Sequence, residues 1–187
     1  MKKIFIIHRW GGTPDSDWYP WLKQKLENKG FEVQVPKMPN SDEPEIDAWV
    51  SHLKKLVKNP DKDTYFIGHS IGCQTIMRYL ESLPANVKVG DAVFIAGWFN
   101  LDNLEGEEVE SIANPWIKTS IDFNKVKQKL GKLTVFLSTN EPYGLIEKNS
   151  KIFKEKLGAK VIIEKNKGHF TEDDNITEMP EIISNIL

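Results

Sequence analysis

The sequence predicts an α/β protein: a three-layer sandwich with a mostly parallel, six-stranded sheet between helices. Two observations carry that expectation. Six short apolar runs, residues 4–7, 31–35, 65–67, 92–96, 133–137 and 160–163, are rich in β-branched and aromatic side chains, and most are continuous rather than alternating. Strands covered on both faces have that character, because neither face is left for water. Between several of the runs lie segments whose apolar residues recur at helical spacing. Strand alternating with helix implies parallel pairing through crossover connections, with helices on both faces.

The first run, Ile4-Phe5-Ile6-Ile7, follows Met1-Lys2-Lys3 and ends at His8-Arg9. A secretory signal needs an apolar stretch of about 7 to 15 residues, and a membrane span about 20. The run therefore reads as a buried strand and not as a targeting segment. Trp18, Tyr19, Leu22 and Leu26 fall on one face of a helix that stops at Gly30. Ile46, Trp49, Val50, Leu53, Leu56 and Val57 mark a second helix, and residues 71–83 a third. Residues 126–130 form a short fourth, and residues 146–157 a fifth closed by Gly158 as its C-terminal cap. Residues 179–187 make a last helix opened near Pro180. Residues 97–119 are the longest irregular stretch, either a short cap or a solvated loop. No repeat, low-complexity tract or linker divides the chain, so residues 1–187 are expected to form one domain.

Composition narrows the partners. There are 25 basic and 27 acidic residues, mixed along the chain, for a net charge of −2. No basic face stands out, which disfavours nucleic acid and anionic membrane. A single cysteine, Cys73, can form no internal disulfide and no cysteine-based metal cluster. That suits a reducing, cytoplasmic setting. No metal or cofactor is called for.

The sharpest motif is Gly68-His69-Ser70-Ile71-Gly72, placed between an expected strand and an expected helix. G-x-S-x-G in that setting makes a tight turn that thrusts the serine Oγ above the sheet, while the two glycines leave room for the backbone. The N–H of Ile71 then points at a developing oxyanion. Of four histidines, His169 is the expected base, since Gly168-His169-Phe170 follows the last strand after a short polar loop. His52 reads as a surface residue, and His8 and His69 as structural. Glu141 is the only carboxylate in the turn after residues 133–137, which makes it the expected acid. A carboxylate facing the imidazole fixes its tautomer and stabilises its charged form. A second oxyanion donor is expected from the amide of Trp10 or Arg9, ahead of Gly11-Gly12. Trp98, Trp10 and Phe170 are candidates for lining a substrate pocket, with Trp116 a weaker one. Most of these residues follow the carboxyl end of a different expected strand, where open parallel sheets bind ligands.

With those residues in place, the chain resembles the small serine hydrolases of the retinoblastoma-binding protein 9 family, especially its bacterial YdeN-like members. The likeness runs nearly end to end. It includes Trp18-Tyr19-Pro20-Trp21-Leu22, Lys37-Met38-Pro39-Asn40, Trp49, the serine motif, Arg78-Tyr79-Leu80-Glu81, the turn at residues 138–143, and Gly168-His169-Phe170 with Glu172-Asp173 behind it. The resemblance implies a compact α/β-hydrolase without a large lid and a Ser–acid–His triad. Members usually carry an aspartate where this chain has Glu141, and often an acidic residue where it has Asn140. The function expected is hydrolysis of an ester, thioester or amide bond of a small acyl substrate. The alternatives are an acyltransferase, or a protein-interaction module on a hydrolase scaffold.

Overall fold

The computed structural model describes residues 2–186. Its sheet contains β1 (Lys3–Ile7), β2 (Glu32–Gln34), β3 (Thr64–His69), β4 (Ala92–Ile95), β5 (Leu133–Ser138) and β6 (Lys160–Glu164), in the order β2-β1-β3-β4-β5-β6. Every pairing is parallel. The helices are α1 (Tyr19–Glu27), α2 (Ile46–Leu56), α3 (Ile71–Glu81), α4 (Glu107–Lys118), α5 (Phe123–Lys129), α6 (Ile146–Leu157) and α7 (Pro180–Ile186). Leu187, the expected end of the last helix, lies outside the described residues. No helix among the described residues is long and apolar enough to cross a membrane.

The continuous apolar runs are explained by two cores, one on each face of the sheet. In β1, Ile4 and Ile6 join the core that α1 and α7 cover, while Phe5 and Ile7 join the one that α2, α3, α5 and α6 cover. Val93 and Ile95 of β4 face the first core, Ala92 and Phe94 the second. Side chains alternate across a strand, so two buried faces require apolar residues at every position. The register brings the carboxyl ends of the central strands together, with Ile7 opposite Gly68 and His69 opposite Ile95. His8, Ser70 and Ala96 therefore emerge side by side.

The irregular stretch resolves into a short cap, not a solvated loop, because α4 lies within it. Glu107, Glu108 and Glu110 occupy its first turn, where carboxylates complement the helix dipole. At its other end the buried Arg78 of α3 donates to the carbonyls of Trp116 (3.0 Å) and Thr119 (2.8 Å). Trp116 is buried beside Trp49 in the core and is not a pocket residue. Gly158 ends α6 in the left-handed conformation, φ +67°, as a C-terminal cap.

Helix α3 approaches the sheet so closely that Gly72 has no room for a side chain. A Cβ there would lie 2.2 Å from the carbonyl oxygen of Ile7. Gly30, by contrast, needs glycine only for its φ of +86°, with nothing within 4 Å of a Cβ. Gly72→Ala should therefore cost about 3 kcal/mol, the upper end of ordinary overpacking, and lower Tm by roughly 6–12 °C. Gly30→Ala should cost about 1 kcal/mol and lower Tm by roughly 2–4 °C. Equal shifts in thermal melts of the two variants would contradict the close helix–strand approach.

Candidate active site

Ser70 sits between β3 and α3 with φ +53° and ψ −118°, a conformation that costs a non-glycine residue energy. Three local contacts hold it there. Its N–H donates to Ile95 O (2.8 Å), and its carbonyl accepts from the Cys73 N–H (3.0 Å). A Cβ on Gly68 would come within 2.9 Å of Cys73 backbone atoms, so the turn closes only around glycine. Oγ accepts a hydrogen bond from the Trp98 indole Nε1–H at 3.2 Å, and no hydrogen bond joins it to His169. Such serine–histidine contacts commonly tighten only with substrate bound.

His169 follows β6, and its ring lies at 2.7 Å from Glu141, Nδ1 to Oε1, with both side chains nearly buried. That contact keeps the proton on Nδ1 and leaves Nε2 as an acceptor. The extra methylene of glutamate is accommodated in the turn after β5. Asn140, the neighbour weighed against it, does not touch the imidazole. Its Oδ1 accepts from Gly168 N–H (2.8 Å) and from Ser138 Oγ (2.7 Å), so it holds the backbone leading into the histidine. Asp174 holds the other side, with Oδ2 accepting from the N–H groups of His169 (2.9 Å) and Thr171 (3.1 Å) and from Thr171 Oγ1 (2.7 Å). Gly168 at φ +53° passes so near this carboxylate that a Cβ would collide with it.

Phe170 is not a pocket residue. Its φ of +59° turns the side chain inward, where it is fully buried in the α1/α7 core, and its carbonyl accepts from Trp18 Nε1 (3.0 Å). Arg9 is also displaced from its expected role. Its N–H donates to the Tyr19 hydroxyl at 3.1 Å and so is already committed. The amides of Trp10 and Ile71 have no acceptor among the described residues. His8 is buried and satisfied, donating through Nδ1 to Arg9 O (2.8 Å) and accepting from Met38 N–H through Nε2 (3.0 Å). Burial holds its pKa below the usual value. Cys73 is buried as well, and burial pushes its thiol pKa up, so it is a poor nucleophile.

Two buried bridges, unforeseen from the sequence, tie the Arg9 loop to the His169 loop. In the first, the Tyr19 hydroxyl donates to His69 Nδ1 (2.6 Å), and His69 Nε2 donates to the carbonyl of His169 itself (2.7 Å). A carbonyl only accepts, so His69 carries its proton on Nε2 and is neutral. Burial, and then the nearby His169, push its pKa down to about 3. In the second, the Asp17 carboxylate accepts from Arg9 Nε (2.8 Å) and Nη2 (3.3 Å) and from the Glu172 N–H (2.9 Å). Burial is the largest single influence on Asp17 and opposes its charge, but the Arg9 hydrogen bond and the other contacts around the carboxylate, the Glu172 N–H among them, together outweigh it and keep the carboxyl below its ordinary pKa.

Ser70 and His169 open onto one cleft of about 550 Å³. Trp98, Leu101, Leu104, Val109 and Ile112, from the loop after β4 and from α4, give the cleft an apolar lining, alongside Trp10, Tyr143 and the acidic Asp42, Glu108, Asp173 and Asp174. Trp98 and Trp10, the two tryptophans expected at a substrate pocket, both line this cleft.

The family described as serine hydrolase matches residues 4–186. Putative hydrolase YdeN of Bacillus subtilis is 26% identical over 183 residues, 96% of this chain and 91% of that protein. Serine hydrolase RBBP9 of Rattus norvegicus is 25% identical, covering 97% of this chain and 91% of its own length. The crystal structure of the B. subtilis ydeN gene product superposes with a TM-score of 0.89 at 25% identity, over 99% of this chain and 96% of that one. A carboxylesterase structure from Nitrososphaera gargenis, at 14% identity and a TM-score of 0.71 over 98% and 89% of the chains, shares the fold. The resemblance read from the motifs is thus found along almost the whole chain.

The neutral, buried His69 has a consequence for stability. Between pH 6.5 and 5 the histidines of the unfolded chain take up protons, whereas His69 in the folded chain does not. The unfolded state then binds more protons, so stability falls as pH drops through that window. His69→Gln retains an N–H for the His169 carbonyl but loses the titrating ring. Its Tm should be lower at pH 8 and decline less steeply from pH 6.5 to 5 than the wild type. Parallel Tm-against-pH curves would contradict the neutral assignment.

Proposed function

The chain belongs to the serine hydrolase family, and from that premise we propose that it cleaves an ester, thioester or amide bond of a small acyl substrate through Ser70, His169 and Glu141. The observation that carries the reading is the 2.7 Å contact between Glu141 and His169 Nδ1, in the same cleft as a serine held in a strained turn. The reaction is carboxylesterase-like. Ser70 Oγ attacks the carbonyl carbon as its proton passes to His169 Nε2. Glu141 stabilises the imidazolium, and the N–H groups of Ile71 and Trp10 hold the oxyanion. The leaving group departs with the proton from His169. Water, deprotonated by His169, then releases the acyl group from Ser70.

Residues 1–187 act as one domain in this reading, with a small molecule as the partner the cleft implies. The apolar lining of Leu101, Leu104, Val109 and Ile112 fits an acyl chain, which favours esters with an apolar acyl part. The buried, unpaired Cys73 is compatible with a reducing, cytoplasmic setting.

A fluorophosphonate probe should label one residue, Ser70, and Ser70→Ala should abolish labelling. Labelling that persists in Ser70→Ala overturns the nucleophile. Among the supporting residues, Glu141→Gln keeps shape and removes charge, and kcat on a p-nitrophenyl ester should fall by roughly 10²–10⁴, the corresponding protease substitution costing about 10⁴. Asn140→Ala releases only the loop backbone and should cost about tenfold. Near-wild-type kcat in Glu141→Gln with a dead Asn140→Ala would reverse the two roles.

A further inference from the structure

Trp98 does more than line the cleft. Its indole Nε1–H has Ser70 Oγ as its partner, at 3.2 Å, in a buried contact. An indole nitrogen is a donor only and finds a partner when buried. The serine therefore receives this bond on an oxygen lone pair, while its own proton stays free for His169.

The direction of the indole is over-determined. Gln74 Nε2 of α3 donates to the Trp98 carbonyl (2.8 Å). Asn149 Oδ1 of α6 accepts from the N–H groups of Phe99 (2.9 Å) and Asn100 (3.0 Å), and its Nδ2 donates to Asn100 O (2.9 Å). Gly97 is pressed against Phe153, whose ring would lie 2.9 Å from a Cβ, and Ala96 adopts φ +49°. Two buried amides and a strained backbone thus fix a side chain that meets the nucleophile with its only polar atom. Packing alone requires neither the aim nor the bracing.

We propose that Trp98 is a further catalytic residue, whose indole N–H stabilises the negative charge that accumulates on Ser70 Oγ. This rests on the reading of Ser70 as nucleophile. In acylation the Oγ–H bond breaks, the proton goes to His169, and the Oγ electron pair forms the bond to the carbonyl carbon. In deacylation that bond breaks again and Oγ leaves as the pair returns to it, taking a proton from His169. The indole N–H stays intact throughout and is strongest when Oγ is most negative. In the acyl-enzyme Oγ is an ester oxygen and a weak acceptor, so the contribution belongs to the transition states and not to substrate binding.

Two variants separate donor from bulk. Trp98→Phe keeps an aromatic ring and loses the N–H. Trp98→His loses the benzo ring but places Nε2 the same number of bonds from Cβ as the indole Nε1. At pH 8, Trp98→Phe should lower kcat on a p-nitrophenyl ester and the fluorophosphonate labelling rate together, by roughly 10- to 100-fold, below the 10²–10³ of a full oxyanion donor. KM should change less than about threefold, as expected when an interaction strengthens in the transition state rather than on substrate binding. Trp98→His should recover at least part of the lost labelling rate. Thermal melts of each variant report whether it is folded. A folded Trp98→Phe with kcat within twofold of wild type, or a Trp98→His slower than Trp98→Phe, overturns the proposal. Failure of Ser70 itself to label in the wild type would instead overturn the nucleophile, which keeps the two failures distinct.

Discussion

The site depends on the backbone turn that joins β3 to α3. Ser70 is held at φ +53° by hydrogen bonds to Ile95 and Cys73, and the turn closes only because residues 68 and 72 lack side chains. The same closeness seats the start of α3 against the Ile7 carbonyl and so brings the Ile71 N–H beside the loop that begins at His8. Ser70, the helix N-terminus and the Trp10 amide are therefore placed by one steric constraint. Strain of this kind persists only where surrounding structure enforces it, and here both cores of the sheet do so.

The histidine loop is placed by different means, since it is irregular apart from a single 3-10 turn at Glu172–Asp174. Its backbone is held from three directions: Asn140 from the turn after β5, Asp174 from within the loop, and His69 from beneath. Two of these act next to the ring, on the N–H and the C=O of His169 itself. The imidazole can then be aimed by Glu141 alone, with little freedom left to lose. His69 is the unexpected member. Buried, neutral and adjacent to Ser70 in sequence, it connects His169 to Tyr19 and Arg9 across the site. The Arg9–Asp17–Glu172 contacts run alongside as a charged counterpart. Arg9, which at first looks like an oxyanion donor, is a bracket.

The cap gives the cleft its chemical character. Its apolar residues come from the segment after β4, closed by α4 and secured where the Arg78 guanidinium meets the carbonyls at the end of that helix. The same segment carries Trp98 to Ser70. The apolar lining of the cleft and the surroundings of Ser70 are thus supplied by one excursion from the sheet, a single braced loop.

The sequence alone determined what is local or periodic. Continuous apolar runs marked buried parallel strands, Gly68 and Gly72 marked the elbow, and the order of Ser70, Glu141 and His169 marked where chemistry would gather. Those signals are short-range, so they could be read without knowing what lies across the molecule. Tertiary structure alone decided the rest. Trp98, Phe170 and Trp116 are alike as residue types, yet one meets Ser70 Oγ and two point away from it into the core, because backbone direction and not aromaticity sets where each ring points. The partners of Asp17 and His69 include residues 155 and 100 positions away, and no spacing along the chain announces such contacts. A buried hydrogen-bonding group must find a partner, but which partner it finds depends on how the sheet brings distant loops together.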